Sequence, residues 1–421
     1  MQKQHVVLIS GLAMGLLAPA AQATNGYFTH GYGVKSQGMG GVGIALPQDA
    51  LAAASNPAGM GLIGDRVDFG ITWFRPQRES EISGNIFPGV NGTYEADDSE
   101  NFFIPEFGYN RRINDQLTLG VSVYGNGGMN TDYKNGVPLF NQTGARTGVD
   151  MAQLFIAPTA TWKINEQHTV GVAVNLAYQR FEMQGIDNFR QASTAPDRLT
   201  DNGHDSSYGA GLHFGWIGKV SDSVTLGAHY QTRTWMTEFD DYKGLFAEQG
   251  DFDVPSRYGA GVAFNATPQL TFAFDVERIN YSDIDSVGRR SLPNLANGLG
   301  SDNGPGFGWR DITVYKLGAS FAVNERLTLR AGYNHGDQPI RSADTLFNVL
   351  APGVIEDHIT LGATWVLPNG GELSFAYMHA FEEDVKGRNS IPPGAPPGFG
   401  GGEADLKMYQ DSLGIAYGWK F

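Results

Sequence analysis

Leu117–Tyr133 reads LTLGVSVYGNGGMNTDY, and its first half decides the fold. Leu117, Leu119, Val121 and Val123 alternate with Thr118, Gly120, Ser122 and Tyr124. A period of two puts the apolar set on one face of an extended strand and the small or polar set on the other. The alternation breaks at Gly125-Asn126-Gly127-Gly128, where the clustered Gly weakens, bends or ends a strand.

The same two-faced pattern recurs in both directions. Upstream, Arg66 to Pro76 sets Val67, Phe69, Ile71 and Trp73 on one face, and a second strand spans about Asn101 to Arg112. Downstream, Leu154, Ile156, Ala160 and Trp162 open a series that ends with Leu413, Ile415, Tyr417, Trp419 and Phe421. About fourteen strands result, an even number as single-chain bacterial barrels have. Short turns at Asn114, Asn165, Ser221, Thr267, Asn324 and Pro368 alternate with much longer loops such as 280–308 and 382–407. Short periplasmic turns and long outer loops have this rhythm, which places both termini in the periplasm.

Near the N-terminus, Lys3 and His5 precede an apolar run from Val6 to Leu17, followed by Pro19 and Ala21-Gln22-Ala23, the pattern of a secretory signal peptide over 1–23. That run is shorter than the roughly 20 residues of a spanning helix, and no later stretch is long and apolar enough. An exported chain that enters a membrane without helices must close its sheet, because lipid satisfies no open edge. The expected architecture is therefore all-β, a transmembrane antiparallel β-barrel over 66–421. A soluble sandwich would bury the apolar faces and would leave the aromatic residues at strand ends unexplained. A formal charge of -15 with no basic stripe argues against nucleic acid. The absence of Cys removes disulfide frameworks and thiolate metal sites.

Residues 24–65 are too Gly-rich for an amphipathic helix and too apolar for a solvated tail, so they need a container, and the barrel lumen supplies it. Arg257, Asp275, Glu277, Lys316 and Arg330 fall on the inward parity, where they are read as groups that hydrogen-bond this plug. A tight turn at Thr267-Pro268 sets Arg257 opposite Glu277. The loop 234–253 carries Trp235, Phe239, Leu245, Phe246 and Phe252, more apolar surface than a solvated loop needs, and reads as an outer docking groove.

The Gly-rich opening of 24–65, the tripeptide Asn56-Pro57-Ala58, the pair Asp65-Arg66 and the terminal Phe421 carry a family resemblance. With them the chain resembles, over essentially its whole length, the long-chain fatty acid and aromatic hydrocarbon transporters of the Gram-negative outer membrane. The resemblance implies an N-terminal hatch, with Asn56, Pro57 and Ala58 in it, inside a fourteen-stranded barrel. It implies passive uptake of hydrophobic compounds, long-chain fatty acids first, with aromatic hydrocarbons, or export of oxygenated fatty acids, as alternatives. Gly125, Asn126, Gly127 and Gly128 then mark a kinked third strand that releases substrate sideways into the bilayer. Thr24, Asn25, Gly26, Tyr27 and Phe28 form the hatch terminus beside a ligand pocket.

For a fatty acid carboxylate, Arg310 matches one basic position of the family; the second falls on Gly185, leaving Arg180 and Arg190 as nearby substitutes. The implied partners are a hydrophobic small molecule, the lipid and lipopolysaccharide of the outer membrane, and a barrel assembly machinery that reads the strand ending in Phe421. A monomer is expected, with no catalytic residues, metal or cofactor. Gly38-Met39-Gly40-Gly41-Val42-Gly43 has dinucleotide spacing by letter but follows no strand of a βαβ unit. No Gly-x-Ser-x-Gly elbow marks a hydrolase, and His335, His358 and His379 lack metal-ligand spacing.

Overall fold

A computed structural model describes residues 24–394 and 399–421; the signal peptide expected over 1–23 lies outside them. In chain order the strands are β1 (Arg66–Ser83), β2 (Gly92–Glu95), β3 (Phe102–Arg112), β4 (Leu117–Tyr133), β5 (Thr147–Lys163), β6 (His168–Gln184), β7 (Asp205–Lys219) and β8 (Val224–Gln231). There follow β9 (Trp235–Met236), β10 (Arg257–Asn265), β11 (Leu270–Ile279), β12 (Ile312–Ala322), β13 (Leu327–Gly336), β14 (Asp357–Val366), β15 (Glu372–Val385) and β16 (Glu403–Lys420). β2 and β9 are small additions in the long loops, paired to β1 and β7. The other fourteen strands pair antiparallel in sequence order, and β16 returns to β1 from Arg66↔Lys420 to Ser83↔Glu403. The sheet is thus closed, as a membrane requires.

Alternation sorts the faces. Phe69, Ile156, Phe214, Phe274, Leu361 and Ile415 are exposed on the outside, while Thr72, Ser122, Thr159, Asn334 and Thr360 are buried on the inside. The exposed apolar residues form the band that faces lipid.

Residues 24–65 fill the lumen, with short helices at Val34–Gln37 and Ala52–Ser55 and a 3-10 turn at Pro57–Leu62. Peptide groups outside long helices and strands need partners when buried, and inward side chains of the wall provide them. Asp275 Oδ2 accepts from the amides of Gly43 and Ile44 at 2.7 and 3.0 Å, and Glu106 accepts from Gly33 and Val34 at 3.2 and 3.0 Å. Arg257 donates to Ala54 O at 2.6 Å and Arg330 to Gln48 Oε1 at 2.8 Å. Asn56 Nδ2 donates to Ile44 O, Trp216 O and Ala228 O at 2.7, 3.0 and 3.3 Å, tying the segment to β7 and β8. Its Oδ1 accepts from Ala58 N at 3.1 Å, capping the turn that Pro57 begins. The wall is glycine where the backbones meet: a Cβ at Gly332 would lie 2.1 Å from Gly40 N.

Two details differ from the sequence reading. Arg257 stands opposite Ile279, and Glu277 opposite Gly259, because the β10–β11 turn spans 266–269; the Arg257–Glu277 ion pair still forms on the diagonal, at 2.9 Å. The alternating third strand, β4, does not end at Gly125 either. Its register with β5 slips between Gly125↔Leu154 and Gly127↔Gln153, a bulge, and the strand runs on to Tyr133↔Thr147.

Candidate ligand pocket and lateral opening

The bulge in β4 separates it from β3. Their ladder ends at Phe107↔Val123, and β3 above that point pairs with β1 alone. Asn126 turns inward and is fully buried, its Nδ2 donating to Gln153 Oε1 at 2.9 Å. The edge that β3 leaves free is taken by the N-terminal segment: Gly128 N donates to Tyr27 O at 3.0 Å, Thr29 N to Asn126 O at 3.4 Å, and Tyr32 OH to Asn126 Oδ1 at 3.2 Å. Higher up, Asp132 N donates to Ala96 O at 3.0 Å and closes the top of the gap. Beside it lies a cleft of about 710 Å³ whose lining includes Asp97, Asp98, Glu100, Asp150 and Glu182, with Arg146 paired to Asp98 and Asp132.

Inside, Tyr27 sits in a cage of rings. Phe28, Tyr281, Trp309 and Phe252 lie with centroids 5.4, 5.0, 5.8 and 6.1 Å from its own. The Tyr281 hydroxyl accepts from Tyr27 N at 3.1 Å and donates to Asn25 O at 2.6 Å, while Thr24 N donates to Phe28 O at 3.1 Å, so residues 24–28 close into a turn. Trp309 Nε1 donates to Asn348 Oδ1 at 2.5 Å, which fixes its ring. Arg257 lies over Phe28 and Tyr32 at 5.6 and 5.1 Å from their centroids. Its charge is already met by Glu277, which also takes Lys316 at 3.0 Å.

Burial governs the ionisable groups around the cage. It raises the Tyr27 and Tyr281 hydroxyls well above the usual phenol range, so both stay neutral. His30, stacked on His358 at 6.1 Å, is lowered to about 3 by burial and by that second imidazole. Asp251, beside the cage residue Phe252, is pushed up to about 7 by burial and by Asp253.

The sequence-predicted residues divide. Thr24, Asn25, Gly26, Tyr27 and Phe28 meet Gly125, Asn126, Gly127 and Gly128 at one place, as the pairing above describes. The outer-loop residues do not make an outward groove: Trp235 is exposed, but Phe239, Leu245, Phe246 and Phe252 are buried. Phe239 and Phe246 pack on Phe181 of β6 at 5.6 and 4.7 Å, so this loop is a lid with an apolar underside. The cavity among Leu245, Phe246, Phe189, Phe307, Phe347 and Leu350 is about 30 Å³. A cavity of about 150 Å³ holds benzene, so this one admits a ligand only after the rings move.

Neither arginine sits where a buried carboxylate would need it. Arg310 is exposed, donates to Gln338 O at 3.2 Å and shares a cleft of about 540 Å³ with Asp311, Asp337, Glu356, Glu383 and Asp384. Arg180 falls on the outward parity of β6 and pairs with Asp150 at 2.8 Å. Tyr281 and the ring of Trp309 went unassigned in the sequence, where they lie more than 250 positions from Tyr27; the aromatic content of the loop 280–311 was the available signal.

A family model described as outer membrane protein transport protein (OMPP1/FadL/TodX) matches residues 16–394. The chain is 21% identical over 468 residues to a putative outer membrane protein of Neisseria meningitidis serogroup B, covering 99% of this chain and 98% of that one. The crystal structure of the Pseudomonas putida toluene transporter TodX superposes with a TM-score of 0.70 at 16% identity, over 93% of this chain and 99% of that one. A Pseudomonas aeruginosa FadL homologue gives 0.69 at 16%, over 93% and 98%. With the closed barrel and its filled lumen, these matches make the chain a member of the FadL/TodX family, a hydrophobic-compound channel of the outer membrane and not an enzyme.

Proposed function

We propose that this channel carries neutral hydrophobic compounds of about aromatic-ring size inward by passive diffusion. The ligand enters beneath the loop lid, takes the cage as Tyr27 and Phe28 withdraw, and leaves sideways through the β3–β4 gap into lipid. The observation that carries this reading is the cage itself: it is built of rings, and its adjacent guanidinium, Arg257, is committed to Glu277, Gln231 and Ala54. A carboxylate moved into it would lose its water and find Arg257 already paired, a penalty of several kcal/mol. An uncharged ring has no such penalty. Lateral release is favoured because an apolar solute that passes into lipid never meets the aqueous periplasm. The fold shared with TodX, a toluene transporter, is in keeping with this choice.

Long-chain fatty acid uptake and export of oxygenated fatty acids are the competing readings. Labelled toluene and oleate uptake in a strain lacking the protein, complemented with wild type, Arg310→Ala, or a cysteine pair at Ile104 and Gly125, separates them. The expected result is toluene uptake restored by wild type and by Arg310→Ala, and suppressed by the oxidised cysteine pair. Oleate uptake that depends on Arg310 would overturn the neutral-ligand reading. Toluene uptake indifferent to the cross-link would overturn the lateral route.

A further inference from the structure

The lumen wall beside Tyr27 carries a band of uncharged polar side chains whose hydrogen-bonding capacity is only half used. Gln153 on β5 and Gln179 on β6 stand directly opposite each other, and Gln231 on β8 lies beside Arg257, further round the wall. All three are 0 to 1% exposed. Each carboxamide is oriented by a bond at one end. Gln153 Oε1 accepts from Asn126 at 2.9 Å, Gln179 Nε2 donates to Phe252 O at 3.0 Å, and Gln231 Oε1 accepts from Arg257 at 3.0 Å. Their other ends, Gln153 Nε2, Gln179 Oε1 and Gln231 Nε2, find no partner among the described residues, nor does either side-chain end of Asn175, two inward positions along β6 from Gln179.

Unmet buried polar groups cost about 1–3 kcal/mol each, and native structures keep few of them. Unmet groups that face the lumen, offering both donors and an acceptor and carrying no charge, describe a site for a neutral hydroxyl. Tyr27 shows what kind of molecule fits. Its ring fills the cage, and its hydroxyl is buried beside the Gln153 carboxamide.

From this geometry we infer that the channel selects neutral phenols, ring in the cage and hydroxyl on the glutamine band, and that Tyr27 is the built-in occupant they displace. The inference rests on the neutral-ligand reading above and narrows it.

The test uses p-cresol and toluene, which are the side chains of tyrosine and phenylalanine as free molecules. Binding to the full chain in lipid nanodiscs and uptake into vesicles carrying it are measured for both. One to two added hydrogen bonds predict binding of p-cresol roughly tenfold tighter than of toluene. Gln153→Leu and Gln179→Leu should each shrink that ratio, and Tyr27→Ala should bind p-cresol more tightly than wild type. Equal binding of the two compounds by wild type means that the band holds water only, and overturns the inference while leaving the neutral-ligand reading intact. A ratio untouched by either leucine substitution also overturns it. Failure to bind or pass either compound overturns both readings.

Discussion

Gly127→Ala tests whether the N-terminal turn is held shut by the kinked strand. A Cβ at Gly127 would lie 1.9 Å from Tyr27 O. Ordinary carbon–oxygen contact begins near 3.3 Å, so residues 27 and 28 must retreat by roughly 1.4 Å. That retreat breaks the 3.0 Å hydrogen bond from Gly128 N to Tyr27 O. The lost bond contributes about 1 kcal/mol and the overpacking about 1–3 kcal/mol, together about 2–4 kcal/mol in favour of the withdrawn turn. At 1.4 kcal/mol per tenfold, its population rises roughly 30- to 700-fold. Hydrogen exchange of the peptide 24–32 in nanodiscs should quicken to match, and toluene uptake should rise with it. Gly125→Ala is the control, since its Cβ meets Ile104 Cγ2, a side-chain end that yields, at 3.0 Å. Exchange unchanged in Gly127→Ala, or equally fast in Gly125→Ala, would refute the claim that this contact seals the pocket.

Three further outcomes are expected. His30 is neutral when folded, its pKa held at about 3 against an ordinary value of 6.5, so its contribution to holding the segment is full above pH 6.5 and is lost as pH falls towards 3. Exchange of the peptide 28–40 should therefore accelerate below pH 6.5, and this dependence should weaken in His30→Phe. Glu277→Gln strands Arg257 and Lys316 as buried cations; removing one partner of a buried charge group costs about 3–5 kcal/mol, readable as a lower temperature for loss of the compact form on cold-loaded gels, partly recovered by adding Lys316→Met. Asn56→Ala removes three donations and a cap, with a local loss of about 2–4 kcal/mol; protease cutting within 44–62 should increase while the barrel's melting stays in place.

The sequence by itself determined the wall. A period of two is a local property of an extended chain, so Leu117, Leu119 and Val121 announced a lipid face without knowledge of their neighbours, as did the strands up to Phe421. Exclusion of helices and of open edges then forced closure, and the Gly-rich apolar run 24–65 had nowhere to go but inside. Tertiary structure alone decided the rest, because it depends on contacts that span the chain. Whether Arg257 faces Glu277 or Ile279 turns on the length of one hairpin loop. Whether Gly125–Gly128 ends a strand or bulges it depends on β5 continuing to pair beyond the bulge. Phe239 and Phe246 are equally apolar as groove or as lid, and only packing on Phe181 makes them lid. Arg310 reads as a base for carboxylates until the acids of four separate segments gather round it. Tyr27, Tyr281 and Trp309 meet because the closed barrel brings the N-terminal segment against a loop more than 250 residues away, and no local pattern carries that information.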